Sequence, residues 1–149
     1  MEVDLETFII SGEFGSVGSG SEYGNVATKF GEPELLEAQH RSRPMIARYG
    51  DVEFRFLDQL LIAISVNLPD REVPRAANVE LTGLWPPSAR TLETVGKLLR
   101  KHGISWQVDP VMSATNPEEN SQTWVTDRKV HLGFFAGYLH RITAEHAQR

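Results

Sequence analysis

Residues 45–64, MIARYGDVEFRFLDQLLIAI, align without a gap on residues 123–142, TWVTDRKVHLGFFAGYLHRI, at a constant offset of 78. Val52 meets Val130, Phe54 meets Leu132, Phe56 meets Phe134, Leu57 meets Phe135, Leu61 meets Leu139 and Ile64 meets Ile142. Turn candidates fall at matching places, Gly50-Asp51 with Arg128-Lys129 and Asp58-Gln59 with Ala136-Gly137. Alternating apolar positions punctuated by two-residue turns predict a three-stranded antiparallel meander in each stretch. Self-similarity on this scale means that one supersecondary unit is used twice, and it constrains the fold more than any local propensity.

A helical pattern closed by glycine precedes each meander. The first spans about Ser21 to Phe30, with Gly31 as C-terminal cap and Pro33 beyond it. The second spans about Ser88 to His102, closed by Gly103, with Pro86 and Pro87 before it and Leu92, Val95, Leu98 and Leu99 at helical spacing. A short helix from Asp4, its predicted cap, to Ser11 leads into a glycine-rich connection over 12–20. Ile104–Asp109 reads as an alternating strand and 110–121 as a polar loop. The expected organisation is one compact body of 149 residues made of two units. Unit one (1–68) has a helix-loop-helix start and three strands, 69–78 is a linker, and unit two (79–146) has a helix and four strands. The fold class is α+β: two tandem helix-plus-meander units with helices packed on one face of a shared antiparallel sheet. Either unit alone would have a thin core, and sharing a sheet buries more of each.

Counting outward from the two-residue turns sets Arg48 against Glu53, Ile46 against Arg55 and Arg55 against Ile62. In the second unit it sets Thr126 against His131, Trp124 against Gly133 and Gly133 against His140. Alternation then gives one apolar face holding Val52, Phe54, Phe56, Leu61, Ala63, Val125, Val130, Leu132, Phe134 and Leu139, to lie under the helices. The other face holds Arg48, Glu53, Arg55, Ile62, Trp124, His131, Phe135, Tyr138 and His140. Aromatic, histidine and arginine side chains on an open sheet face suit a protein-binding surface. They also serve simply to cover cross-strand neighbours, as a Trp does opposite a Gly.

Composition narrows the classes. With 40% hydrophobic and 23% charged residues the chain is globular rather than collagenous, low-complexity or coiled coil. The absence of cysteine removes a disulfide framework, a thiol nucleophile and thiolate metal sites, and makes the cytoplasm the expected compartment. The acidic start, MEVDLETFII, is unlike a signal peptide, and no apolar run suffices for a membrane span. The net charge of -5 is uneven. Residues 1–37 hold eight acids (Glu2, Asp4, Glu6, Glu13, Glu22, Glu32, Glu34, Glu37) against Lys29, a net of -7, and the remainder has a net of +2. That opposes nucleic-acid binding and favours a basic partner, or is a solvated face.

Signatures of chemistry are sparse. The histidines are His40, His102, His131, His140 and His146, with no HExxH or His-x-His pair. His131 and His140 share the predicted open face at roughly 7–8 Å with no third ligand, so neither metal nor cofactor is expected. The stretch Gly15 to Ser21 lacks a Walker lysine and runs into Glu22, which reads as a flexible connection rather than a phosphate cradle. No Gly-x-Ser-x-Gly elbow is present, and Glu118-Glu119 falls in a polar loop, where carboxylates are solvated rather than catalytic. Trp85 reads as an anchor at the helix start and Trp106 as inward-facing beside Ile104 and Val108, so both are expected in the core.

Phe14 to Val17, Gly20, the run Val26 to Pro33 and the stretch Arg48 to Phe56 (RYGDVEFRF) together resemble an uncharacterised family of small bacterial proteins. In that family a helix ending in Leu-Gly-x-Pro leads into a Tyr-Gly-Asp-x-Glu-Leu/Phe strand turn; the resemblance covers about 1–66 and implies no activity. The tandem layout is also similar to the β-lactamase inhibitory protein and, per unit, to outer-membrane assembly lipoproteins of the SmpA/OmlA type. This chain lacks the disulfides of the first and the lipidated cysteine of the second. The resemblance implies a sheet surface that grips another protein.

The leading expectation is a non-enzymatic protein-interaction module, an immunity or inhibitor protein, monomeric or homodimeric, with no nucleic-acid or membrane partner. Its partner-binding residues would be Trp124, His131, Phe135, Tyr138, His140, Arg48, Glu53 and Arg55. The competing expectation is a small-ligand protein or enzyme with a cleft between the units near His131 or His140.

Overall fold

A computed structural model describes residues 1–114 and 121–146; Glu118-Glu119 and half of the expected polar loop, 115–120, lie outside the described residues. In chain order the elements are β1 (Glu2–Asp4), α1 (Leu5–Ser11), α2 (Tyr23–Phe30), β2 (Leu35–Glu37), β3 (Met45–Tyr49), β4 (Val52–Leu57), β5 (Leu60–Asn67) and β6 (Glu80–Thr82). A 3-10 turn (Pro87–Arg90), α3 (Leu92–Lys101), β7 (Trp106–Val108), the one-turn α4 (Pro110–Ala114), β8 (Gln122–Thr126), β9 (Val130–Phe135) and β10 (Tyr138–Glu145) complete the chain. The class is α+β. Eight strands form one antiparallel sheet in the order β2-β3-β4-β5-β10-β9-β8-β7, and β1 and β6 pair in parallel as a separate two-stranded sheet.

The helix boundaries follow capping chemistry. The Asp4 carboxylate accepts the Glu6 N–H at 3.0 Å, and α1 ends at Gly12 with φ 75. Ser88 does not cap α3. The double proline at 86–87 starts a 3-10 turn instead, and Thr91 Oγ1 accepts the Thr94 N–H at 3.1 Å to open the helix.

One core runs the length of the sheet. Phe54 meets Phe14 and Phe30 at ring distances of 5.6 and 5.5 Å, and Tyr23 on α2 meets Phe56 at 5.6 Å. Gly96 on α3 lies against Trp106 and Trp124, and Gly12 at the end of α1 lies against Ala144 and Val130. The helices thus cover the face carrying Ala47, Tyr49, Val52, Phe54, Phe56, Leu61, Ile64, Val66, Trp124, Val130, Leu132, Phe134, Leu139, Ile142 and Ala144, all buried. Segment 12–20 is not a loose connection. Phe14 and Val17 are buried and exchange backbone hydrogen bonds of 2.8 and 3.0 Å, which folds the glycine-rich stretch into the core.

The sequence motif of the first half is a structural device. Tyr49, buried against α2, donates its hydroxyl to the Gly31 carbonyl at 2.8 Å, joining the Gly-x-Pro stretch to the Tyr-Gly-Asp turn. Burial, with smaller contributions from Tyr23 and Glu32, raises the Tyr49 pKa to about 12, so this hydroxyl stays a donor. Gly50 has φ 62, and a side chain there would collide with the Arg75 carbonyl. Asp51 takes the Arg75 N–H on its carboxylate at 2.7 Å and gives its own N–H to the Arg75 carbonyl at 2.8 Å.

Three expectations about packing differ. Trp85 is 47% exposed, with the Arg90 guanidinium 5.6 Å above its ring, because the following prolines carry the chain along the surface. Trp106 is half-buried, stacked on Trp124 at 4.8 Å, while Val108 beyond it is exposed because β7 is an edge strand. Residues 110–114 form a helical turn, which Asp109 starts by accepting the Val111 N–H at 3.0 Å.

Candidate functional site

On the face opposite the helices the sheet register builds a continuous cross-strand row: Arg48, Glu53, Ser65, Thr143, His131 and Val125, on β3, β4, β5, β10, β9 and β8. A second row runs Ile46, Arg55, Ala63 and Glu145. At the centre Ser65 Oγ and Thr143 Oγ1 are 3.0 Å apart, and Arg141 Nη2 lies 3.4 Å from Ser65 Oγ. Arg55 reaches Glu53 at 2.9 Å, and His131 Nε2 sits 3.0 Å from a Glu145 oxygen. These pairs are solvent-accessible, so each adds at most about 1 kcal/mol and chiefly fixes side-chain direction. Ile46, Leu57 and Val125, all half-buried, lie among the charged groups.

Arg48, Glu53, Arg55 and His131 therefore share this face as expected, with Arg48 opposite Glu53 and Ile46 opposite Arg55. Trp124 does not. It pairs with Leu132 rather than Gly133, is 6% exposed, and packs between Trp106 and Phe134. The turn before β9 holds three residues, Asp127 to Lys129, with Lys129 at φ 60, instead of two. One extra residue moves β8 by one register position and turns all its side chains over, so Trp124 is covered and Val125 faces out. Thr126, expected opposite His131, is buried; its hydroxyl accepts the N–H groups of Arg128 and Val130 at 3.2 Å each.

Two further pairs shift through β-bulges. Arg55 pairs with Ala63 and Gly133 with Arg141, the extra residues being Ile62 and His140, at matching positions of the aligned stretches. Ala63 consequently lies on the open face. The two-residue turns themselves form as read: Asp58-Gln59 and Ala136-Gly137 both have positive φ at both positions, the hairpin geometry that matches strand twist.

The bulge at His140 lays its ring over Gly133, where a Cβ would sit 3.2 Å from the ring. His140 Nδ1 donates to the Gly133 carbonyl at 2.8 Å, which leaves Nε2 as the acceptor of the neutral ring. The Phe135 ring lies 6.3 Å away. Beside this hairpin tip is a cavity of about 560 Å3, lined by Leu68 to Arg71, Pro87, Arg90 and the hairpin residues Phe135, Ala136 and Tyr138 to His140. It reaches His140 but not His131, and it brings together Phe135, Tyr138 and His140 of the expected set.

Arg90, which no sequence pattern marks, organises this cavity. Only 3% exposed, it donates to the carbonyls of Leu84 at 2.9 Å, Pro69 at 2.8 Å and Glu72 at 2.7 Å. Burial lowers its pKa, opposed by the charge of Asp70. Ser65, Thr143 and Arg141 were also absent from the expected set. Ser65 and Thr143 adjoin the last aligned pair, Ile64 and Ile142, and a sheet joined through its equivalent strands would place them together.

Among the described residues no cluster of three or more His, Cys, Asp or Glu side chains is arranged to hold a metal ion, and no helix is long and apolar enough to cross a membrane. No protein-family model, curated protein or solved structure matches the chain.

Proposed function

We propose that this chain is a non-enzymatic protein-binding module that grips its partner with the open face of the eight-stranded sheet. The observation that carries the reading is the one-sided coverage of that sheet. Helices seal one face, while the other presents half-buried Ile46, Leu57 and Val125 among Arg48, Glu53, Arg55, His131 and Arg141. Such a surface mixes apolar area with charged and polar side chains, Arg55 and Glu53 held as an ion pair, the chemistry of a specific docking face. Phe135 and Tyr138, 47% and 50% exposed, extend it at the β9–β10 tip as aromatic anchors.

The register supports reading the chain as two related units joined through β5 and β10. Asn67 faces Arg141, Ser65 faces Thr143 and Ala63 faces Glu145, so positions separated by the sequence offset are exchanged about the central pair. Four strands stand on each side of that junction. Within this class the reading is an inhibitor or immunity protein that covers a partner's functional surface, acting in the cytoplasm, as the cysteine-free sequence favours.

The test is affinity for the protein that co-purifies natively. Arg55→Ala and Phe135→Ala should each weaken binding by about 2 kcal/mol if they are anchors, while Lys97→Ala on the solvent side of α3 should leave it unchanged. Unchanged affinity in both sheet-face variants would reject the reading.

A further inference from the structure

The cavity at the β9–β10 tip is a ligand site in its own right, and we propose that it takes a compact aromatic carboxylate. At about 560 Å3 it falls within the ~300–1,000 Å3 of small-molecule pockets. Its walls are apolar and aromatic: Leu68, Pro69, Pro87, Phe135 and Leu139, with Tyr138. A ring buried there gains both area and edge or face contacts with Phe135 and Tyr138.

The charged groups choose the ligand's sign. Arg71, Arg90 and Asp70 line the cavity, a balance of one positive charge. Asp70 lies within electrostatic reach of Arg90 and offsets that charge. The Arg71 guanidinium makes no hydrogen bond or ion pair among the described residues, and Arg71 lines the cavity as an exposed residue. Arg90 spends three of its five N–H groups on the carbonyls of Leu84, Pro69 and Glu72, leaving donors over. A carboxylate is the planar anion that guanidinium groups receive best. The same three bonds hold the Pro69–Arg71 wall in place, so the site is formed before the ligand arrives. In the neutral His140 ring, where Nδ1 donates to the Gly133 carbonyl, Nε2 can receive a donor on the ligand ring.

This inference does not depend on the sheet face binding a protein. Amide-detected NMR titration of the full chain with 3-phenylpropionate tests it, alongside 3-phenylpropionamide, phenethylamine and acetate. Shifts should concentrate at 68–71 and 135–140, with the carboxylate binding at least about tenfold more tightly than its amide and than acetate. Arg71→Gln, an exposed change that leaves the Arg90 bonds intact, should reduce 3-phenylpropionate affinity about fivefold or more while leaving the amide's unchanged. Preference for phenethylamine would show that Asp70 sets the specificity, and it would overturn the proposal. Shifts elsewhere, or none at about 10 mM probe, would overturn it as well.

Discussion

Ser65 and Thr143 face each other across β5 and β10 with their hydroxyl oxygens 3.0 Å apart, and the two positions differ by the offset of 78 that aligns residues 45–64 on 123–142. Ser65 is 2% exposed, so its hydroxyl has little access to water if its partner is removed. Thr143→Val should cost about 1–2 kcal/mol in urea unfolding, and Ser65→Ala with Thr143→Val should cost less than the two single changes added together. Additive costs would mean that the hydroxyls do not interact across the junction.

Trp124 and Phe135 should separate stability from binding. Trp124→Ala removes a ring packed against Trp106 and Phe134, and should cost about 3–5 kcal/mol. Phe135→Ala, at an exposed ring, should stay within about 1 kcal/mol. Thermal melts followed by circular dichroism measure both. A small cost at Trp124 would return it to the open face.

Strand identity was legible in the sequence because apolar alternation survives in each strand separately. The Gly50-Asp51 turn could be counted, and every β3–β4 pair read from it forms. Facing was lost wherever a single residue was added: at the loop ending in Lys129, and at the bulges of Ile62 and His140. Side-chain facing has a period of two, so one extra residue reverses a strand without changing its composition. β1, β2 and β6 were not legible, because a strand of three residues is too short to show alternation, and β2, Leu35 to Glu37, is exposed throughout. The cavity was illegible for a different reason. Arg90 binds backbone carbonyls, and carbonyls are the same in every sequence.

Arg90→Lys should destabilise the protein by about 2–3 kcal/mol, because an ammonium cannot reach three divergent carbonyls in the plane of a guanidinium. Hydrogen exchange should show faster opening of segment 68–72 and of the chain around Leu84 than of the sheet centre. Uniform acceleration everywhere would mean that Arg90 acts on global stability alone.

His146 links stability to pH. Its Nε2 donates to the Gly12 carbonyl at 2.9 Å and Nδ1 lies 3.1 Å from Ser19 Oγ, so the neutral ring closes both contacts. Burial lowers its pKa below 6.5, outweighing the Gly12 bond and the charge of Glu13. The folded state thus binds fewer protons than the unfolded one just below pH 6.5, and stability rises with pH across that window. The contribution is present above 6.5 and is lost as pH falls through the folded value. His146→Gln should flatten the stability profile there; an unaltered slope in denaturation at stepped pH would contradict the assignment.

Photo-crosslinking tests the docking face most directly. A photoreactive residue placed at His131 or Arg48 on the open sheet face, and at Lys97 on α3 as the comparison, is activated in cells that make the protein naturally. The account predicts the same single protein adduct from positions 131 and 48 and none from 97. An adduct from 97 with none from 131 and 48 would contradict it.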